Sequence, residues 1–171
     1  MKVTGFQLMY RLRELQDTRD IAGTQFNDCL YQFQADAGQK PSPVELTRVY
    51  RECERKIAAL QVAQAQYNLA VSVEVLGDPM TLHEAVKLVG GAGRIAKMWK
   101  DAAKKGAQPL YGYGEPSRDK DHEYARRTVS VQECLEHSTE ASRWASALRQ
   151  AVQLGNAAEI EIAGLDADLF S

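Results

Sequence analysis

The chain has 171 residues, of which 44% are apolar and 26% are charged, and its formal net charge is −2. This length and apolar content suit one domain with a buried core. The near balance of acidic and basic residues excludes a global field strong enough to predict binding to long nucleic acid or to a membrane surface. Since no apolar run has membrane-spanning length and the chain starts with a polar amphipathic pattern, the sequence predicts a cytoplasmic protein.

Four amphipathic segments begin with the same helix-start pattern, a Ser or Thr followed three residues later by Glu or Gln. In this pattern each side chain bonds the other residue's free backbone amide, so it marks the first turn of a helix. The pairs are Thr4/Gln7, Ser42/Glu45, Thr81/Glu84 and Ser130/Glu133. The sequence therefore predicts a mainly α fold with four long helices, in a single domain that spans residues 1–171.

The first two helices are predicted to form a long antiparallel hairpin over residues 4–77. Their apolar residues alternate at spacings of four and three, which is typical of a coiled-coil seam. In the first helix, which should run to about residue 35, the seam is Leu8, Leu12, Leu15, Arg19, Ala22, Phe26, Cys29 and Phe33. In the second helix it is Leu46, Tyr50, Cys53, Ile57, Leu60, Gln64, Tyr67 and Val71.

The third helix is predicted over residues 81–105 and the fourth over residues 130–155. Glycines weaken the middle of the third helix by about 1 kcal/mol each relative to alanine, so close helix packing or a kink is expected there. These glycines are Gly90, Gly91 and Gly93. The third helix should bury Leu82, Val86, Val89, Ala96 and Trp99, and the fourth Leu135, Ser138, Ala141, Ala145, Leu148 and Val152. Gly155 and Asn156 form a suitable C-terminal cap for the fourth helix.

A long connection over residues 106–127 joins the last two helices, and a tail follows over residues 156–171. Connections of this length without regular structure are usually functional or disordered. Residues 127–131 and 159–162 alternate in polarity as short β-strands do, and we expect them to pair with each other or with a second copy of the chain.

In the order of its elements the chain resembles the septicolysin-like family of bacterial helical proteins. The resemblance rests on Tyr67-Asn68, on MTLHEA at residues 80–85, on RRTVSVQE at residues 126–133 and on Gly155-Asn156. It implies a helical, oligomeric body and transfers no catalytic motif. The chain departs from the family pattern at residues 90–93, where the family has an acidic residue and an aliphatic partner.

Aromatic and basic residues concentrate in the long connection and at its two flanks. Aromatic faces stack on nucleobases and guanidinium groups bind phosphates, so this mixture is typical of a site for a nucleotide-sized anion. A helix that starts at Ser130 adds backbone amides and the positive end of its dipole. The predicted ligand-binding residues are Trp99, Lys104, Tyr111, Tyr113, Arg126, Arg127 and Ser130. The alternative is a solvated loop in which neighbouring carboxylates pair with the cations.

Other chemistries have less support in the sequence. Cys134 and His137 share one helical face and are the candidates for a nucleophile and its base, but no oxyanion hole accompanies them. The three histidines never approach a metal-ligand spacing, so we expect neither a metal site nor a cofactor. VGGAGR, at residues 89–94, lacks the Gly-Lys-Ser/Thr ending of a phosphate-binding loop. Three cysteines far apart favour reduced, buried thiols.

The sequence thus predicts a non-enzymatic homo-oligomer that holds a small anionic ligand. Helices of about thirty residues extend for about 45 Å, longer than a compact domain of this size, so a second copy is expected to cover the hairpin. Some phage anti-defence proteins of similar helical construction sequester signalling nucleotides, and we expect a comparable role. The alternatives are a structural coiled-coil adaptor that binds a protein partner, and a septicolysin-like membrane-active protein.

Overall fold

The computed structural model describes residues 1–31, 40–107 and 128–170 of the chain. The fold is mainly helical, with short antiparallel strands in two small sheets, as predicted. The chain divides into two compact units. The first comprises residues 1–73, 81–83 and 153–171, and the second comprises residues 74–80 and 84–152.

The first unit is built on the predicted helical hairpin. After a short strand β1 (Lys2–Thr4), helix α1 covers Gly5–Asp28, and helix α2 covers Pro43–Ala70. Arg19 on α1 forms an ion pair at 3.2 Å with Glu54 on α2, and Gly23 faces the ring of Tyr50. Residue numbers rise on one helix as they fall on the other, so the helices are antiparallel. The end predicted for α1, near residue 35, lies outside the described residues.

The predicted seam holds the hairpin together, and one of its two rows is the more deeply buried. One row of seam residues, spaced seven apart along α1 and its C-cap, is buried, while the alternate seam positions Leu12, Arg19 and Phe26 are half-buried. The buried row consists of Leu8, Leu15, Ala22 and Cys29. Two turns of an α-helix contain about seven residues, so residues seven apart lie on the same face. The buried row therefore confirms the coiled-coil spacing.

Helix α2 ends at Ala70, seven residues before the predicted end. It is followed by a β-hairpin of β2 (Ser72–Val75) and β3 (Asp78–Thr81), which the helical reading of this stretch missed. The turn residues Leu76 and Gly77 both have positive φ, the backbone conformation that a tight two-residue hairpin turn requires. The alternating valines of residues 71–75, followed by Gly77, were the sequence signal for a strand and a turn.

The short strands pair differently from the prediction. The strand predicted at residues 159–162 is confirmed as β4 (Glu159–Glu161), but it pairs antiparallel with β1 at the start of the chain, with Val3 opposite Ile160. A strand over residues 127–131 was wrong for the described part of that range. Residues 128–130 are not in a strand and Val131 begins the last helix, because Ser130 caps that helix.

Helix α3 covers Leu82–Ala107 and helix α4 covers Val131–Ala157. Their buried faces differ in detail from the predicted ones, since Val86 and Leu135 are exposed. The buried apolar side chains are Leu82, Ala85, Ala92 and Ala103 on α3, and Cys134, Ala141, Ala145, Leu148 and Ala151 on α4. Small residues therefore occupy most of these buried positions, and larger apolar side chains beside them stay exposed.

The glycines have the opposite roles from those predicted. An added Cβ would meet nothing within 4 Å at Gly91 or Gly93 among the described atoms, so close packing of α3 at these positions is not observed. Gly155, predicted as a helix cap, instead lies inside α4. There an added Cβ would approach Leu82 and Val73 to 2.8 Å. The missing side chain at Gly155 allows this close contact within the first unit.

Candidate functional site

Three of the seven predicted ligand-binding residues lie in the described part of the chain. Trp99 and Lys104 are on the last turns of α3, and Ser130 immediately precedes α4. Tyr111, Tyr113, Arg126 and Arg127 lie outside the described residues. The described geometry therefore concerns the two helix ends that flank the long connection.

Trp99 and His137 form a ring pair in the second unit. Their ring centroids are 4.6 Å apart and their planes are inclined by 31°, within the range of favourable aromatic contacts. Trp99 is half-buried, whereas the His137 side chain is 51% exposed and its Nδ1 lies 3.9 Å from a carboxylate oxygen of Glu140. The pair presents an aromatic surface where the end of α3 meets the start of α4.

His137 was missed as a member of this surface. It was considered only as a base for Cys134, because the two residues are three positions apart on one helix. Its contact with Trp99 joins two helices, and no local spacing in the sequence indicates such a contact.

Lysines provide positive charge on the last turns of α3. Lys97 forms an ion pair at 2.7 Å with Asp101, and its hydrogen bond lowers the pKa of that carboxyl below the ordinary value. Lys100, Lys104 and Lys105 have no ion pair among the described residues. Since Lys97 already neutralises Asp101, these three lysines give the described end of α3 a net positive charge. Cations in the last turn also stabilise the helix through its dipole.

Ser130 is already engaged in starting α4. Its hydroxyl accepts a hydrogen bond from the Glu133 amide at 3.1 Å, and its own amide donates to the Glu133 carboxylate at 2.7 Å. The hydrogen bond from the Ser130 amide lowers the pKa of Glu133. A second anion at this helix start would meet the negative charge of Glu133. Ser130 is therefore better described as a helix cap than as a group available to a ligand.

The nucleophile and metal alternatives gain no support from the described residues. Cys134 is 1% exposed, and the His137 ring packs against Trp99. The other two cysteines, Cys29 and Cys53, are also buried, and burial raises the pKa of the Cys53 thiol. Across residues 1–31, 40–107 and 128–170, no group of three His, Cys, Asp or Glu side chains is placed to hold a metal ion. A reactive cysteine needs an exposed thiol whose pKa is lowered by a nearby positive charge, and burial disfavours the thiolate form.

A second surface feature lies on the helical hairpin. An open apolar groove of about 500 Å³ runs between α1 and α2 near Gly23. Gly23 has no side chain to fill the space beside the Tyr50 ring. The groove is lined by Ala22, Gly23, Phe26, Leu46, Thr47, Tyr50, Arg51 and Glu54.

Comparison with known proteins identifies the fold only. No family model matches the chain, and no curated protein matches it. One similar solved structure is a functionally unknown conserved protein from Corynebacterium diphtheriae. It superposes with a TM-score of 0.65 at 17% sequence identity, over 94% of this chain and 100% of that chain. At this identity the match shows a shared fold.

Proposed function

We propose that the chain is a non-enzymatic, homo-oligomeric binding protein that holds a small anionic ligand of the nucleotide class in the cytoplasm. The observation that carries the proposal is the Trp99–His137 ring pair, which lies beside a helix end with three lysines that form no ion pair among the described residues. A ligand that is held and released unaltered would be sequestered by this protein.

In this proposal the ring pair binds the base of the ligand, and the lysines bind its phosphate. Any of the nucleobases can stack on an aromatic face, because every base has a π-face. Phosphate oxygens attract Lys100 and Lys104 at the same end of α3. Arg126 and Arg127 precede α4 by a few residues, and Tyr111 and Tyr113 follow α3 by a few, so in the proposal they complete the site.

Exposed apolar side chains on α1 and after it support the homo-oligomeric part of the proposal. Ile21 and Tyr31 expose 57% and 85% of their surface. The groove at Gly23 adds apolar surface on the same hairpin. Exposed apolar patches of this kind usually mark protein contacts. A second copy of the chain is the proposed partner, because symmetric homo-oligomers are the commonest assemblies.

Native mass spectrometry of the protein as purified from cells tests both parts. We expect an oligomer that carries a discrete extra mass, released on denaturation as an unmodified nucleotide. Ile21→Gln should reduce the mass of the assembly, and the exposed Leu154→Gln should not. A monomer would contradict the oligomer. An oligomer that stays empty after incubation with a nucleotide panel would contradict the ligand.

A fluorescence titration tests the site itself. The chain has two tryptophans, so Trp144→Phe leaves Trp99 as the only reporter. Nucleotide binding should quench Trp99 emission, and Arg126→Ala with Arg127→Ala should abolish the quenching while the helical signal is retained. Lys104→Gln should weaken binding more than Lys97→Gln, since Lys97 is already paired with Asp101. Equal affinities in all variants would contradict the site.

The groove at Gly23 favours a second candidate, a structural coiled-coil adaptor. In this function the hairpin grips a helix of a protein partner through i, i+3, i+4 apolar contacts. Tyr31→Glu should then abolish partner binding, and the arginine double variant should not affect it. The reverse pattern would support the nucleotide site.

The septicolysin-like resemblance raises a third possibility, membrane activity. None of the helices in the described residues combines the length and the apolar content needed to cross a membrane. Leakage from liposomes at micromolar protein would favour this function over the other two.

A further inference from the structure

A cleft in the first unit has no part in the proposed nucleotide site. It has a volume of about 550 Å³ and lies between the middle of α2 and the C-terminal segment, residues 162–169. Clefts of 300–1,000 Å³ are typical of small-molecule sites. Nothing in the sequence pattern indicated it, because its two sides are about a hundred residues apart.

The cleft exists because the C-terminal segment is anchored at both ends and, between its anchors, passes over small side chains of α2. At one end Ile162 is buried and its amide donates to the Met1 carbonyl oxygen at 3.3 Å. At the other end the Leu169 carbonyl oxygen accepts a 2.7 Å hydrogen bond from Nε of Arg11. Between these anchors the segment passes α2 at Ala59 and Ala63, whose side chains are too small to fill the space.

A turn shapes the segment between its anchors. Gly164 has φ of 73°, the left-handed backbone conformation that glycine adopts without strain. One carboxylate oxygen of Asp166 accepts the Asp168 amide at 3.0 Å, and the Asp166 carbonyl oxygen accepts the Leu169 amide at 3.2 Å. These hydrogen bonds start a short 3-10 helix, Ala167–Phe170, and place Asp166 in the wall of the cleft.

The two walls carry opposite charges. On the α2 side Arg55 has no hydrogen bond or ion pair among the described residues, while Lys56 pairs with Glu52 at 3.6 Å. On the opposite side Asp166 has one carboxylate oxygen committed to the Asp168 amide, and no partner is described for the other. Asp168 lines the same side as Asp166. A guanidinium group therefore lines one wall, and two carboxylates line the other.

The apolar residues of the cleft lie among these charges. Ala59, Val62 and Ala63 belong to α2, and Ile162, Leu165 and Leu169 belong to the C-terminal segment. A ligand that fits all of these features has an anionic group, a cationic group and an apolar body.

We propose that this cleft binds a zwitterionic small molecule with an aliphatic side chain, of the class of a branched-chain amino acid. Arg55 binds the carboxylate through its planar pair of N–H donors, and Asp166 accepts from the ammonium group. The aliphatic side chain packs on Ala59 and Ala63. The inference is independent of the nucleotide site, because the two sites use different residues.

Ligand analogues that each lack one charge test the chemistry. The probes are L-leucine, 4-methylpentanoate, which lacks the ammonium group, and isopentylamine, which lacks the carboxylate. In a ¹⁵N-resolved NMR titration of the full chain, leucine should shift amides of residues 55–66 and 162–169 in a saturable way. Each analogue should bind at least about tenfold more weakly, since it leaves one charged wall unpaired. Equal binding of all three, or no shifts in these segments, would overturn the proposal.

Single substitutions test the two walls. Arg55→Gln should weaken leucine binding at least about tenfold while leaving isopentylamine unaffected. Asp166→Asn keeps a side chain that can accept the Asp168 amide and should weaken leucine and isopentylamine alike. Arg48→Gln is the matched control, because Arg48 is exposed on the same helix and does not line the cleft. An effect of Arg48→Gln equal to that of Arg55→Gln would overturn the site. Nucleotide binding should be unchanged in all three variants.

Discussion

The hydroxyl oxygen of Tyr67 lies 2.7 Å from the carbonyl oxygen of Gly155, a residue 88 positions further along the chain. The same hydroxyl lies 2.6 Å from the carbonyl oxygen of Ala158. Tyr67 is fully buried, so its hydroxyl hydrogen serves these carbonyls in place of water. The contact ties the end of α2 to the end of α4 within the first unit.

Removal of this hydroxyl should destabilise the protein. Tyr67→Phe removes the hydroxyl donor from both carbonyls, although the Gly155 carbonyl oxygen still accepts the Ala158 amide at 3.2 Å. We therefore expect the free energy of unfolding to fall by about 0.5–1.5 kcal/mol, the usual net contribution of one hydrogen bond. Urea unfolding followed by circular dichroism measures the change. Tyr50→Phe is the control, since Tyr50 is 39% exposed and should change the free energy by less than about 0.5 kcal/mol. Equal effects of the two variants would contradict the role of the Tyr67 hydroxyl.

Two glycine substitutions should have opposite signs. Gly155→Ala places a Cβ about 2.8 Å from Leu82 and Val73. Such overpacking should destabilise the protein by about 1–3 kcal/mol. Gly91→Ala lies in the middle of α3, where an added Cβ meets nothing within 4 Å among the described atoms. It should stabilise the protein by about 0.5–1 kcal/mol through helix propensity.

Thermal unfolding of both glycine variants gives the sign of each effect directly. A destabilising Gly91→Ala would instead indicate the close helix packing that the glycine cluster first suggested. A neutral Gly155→Ala would show that Leu82 and Val73 can move away at little cost.

Two leucines of α4 test which face of this helix is buried. Leu148 is fully buried, so Leu148→Ala should lower the free energy of unfolding by about 2–5 kcal/mol. Leu135 is 48% exposed, and Leu135→Ala should cost less than about 1 kcal/mol. Denaturant unfolding of the two variants in parallel provides the measurement. A loss at Leu135 as large as that at Leu148 would restore the inner face predicted from the sequence, which contains both residues.

The helix caps should make stability depend on acid pH. Hydrogen bonds from the amides of Ser42 and Ser130 lower the pKa of Glu45 and of Glu133 in the folded protein. A lowered folded pKa means that the unfolded chain binds protons first as the pH falls. The stabilisation is therefore complete above the ordinary glutamate pKa of about 4.3, and it is lost as the pH falls below that pKa and through the lowered folded one.

Glutamine at both cap positions should reduce this dependence. Glu45→Gln with Glu133→Gln retains a side chain that can bond the cap amide but does not titrate. The unfolding free energy of the double variant, measured from pH 7 to pH 3, should fall less steeply than that of the original protein. Asp17→Asn is the control, because Asp17 is exposed and has no described partner. An equal flattening by Asp17→Asn would attribute the effect to net charge.

Features that depend on neighbours a few residues apart were predictable from the sequence. The caps at Thr4, Ser42 and Ser130 are present with both of their hydrogen bonds, because each involves a residue three positions away. The hairpin seam was predictable for the same reason, since side chains three and four apart share one helical face. The exact buried face of each helix was less predictable from the sequence. Cys134 and Leu135, for example, are adjacent and both apolar, but only Cys134 is buried.

The sequence by itself determined the four helices, the three caps at Thr4, Ser42 and Ser130, and the seam along which α1 packs on α2, because helical periodicity and capping are local. Tertiary structure alone decided the pairing of β1 with β4, the contact of Trp99 with His137 and the bond from Tyr67 to Gly155. It also created the cleft at Arg55. Each of these joins segments from about forty to more than 150 positions apart, and their meeting depends on how the helices pack rather than on any local spacing.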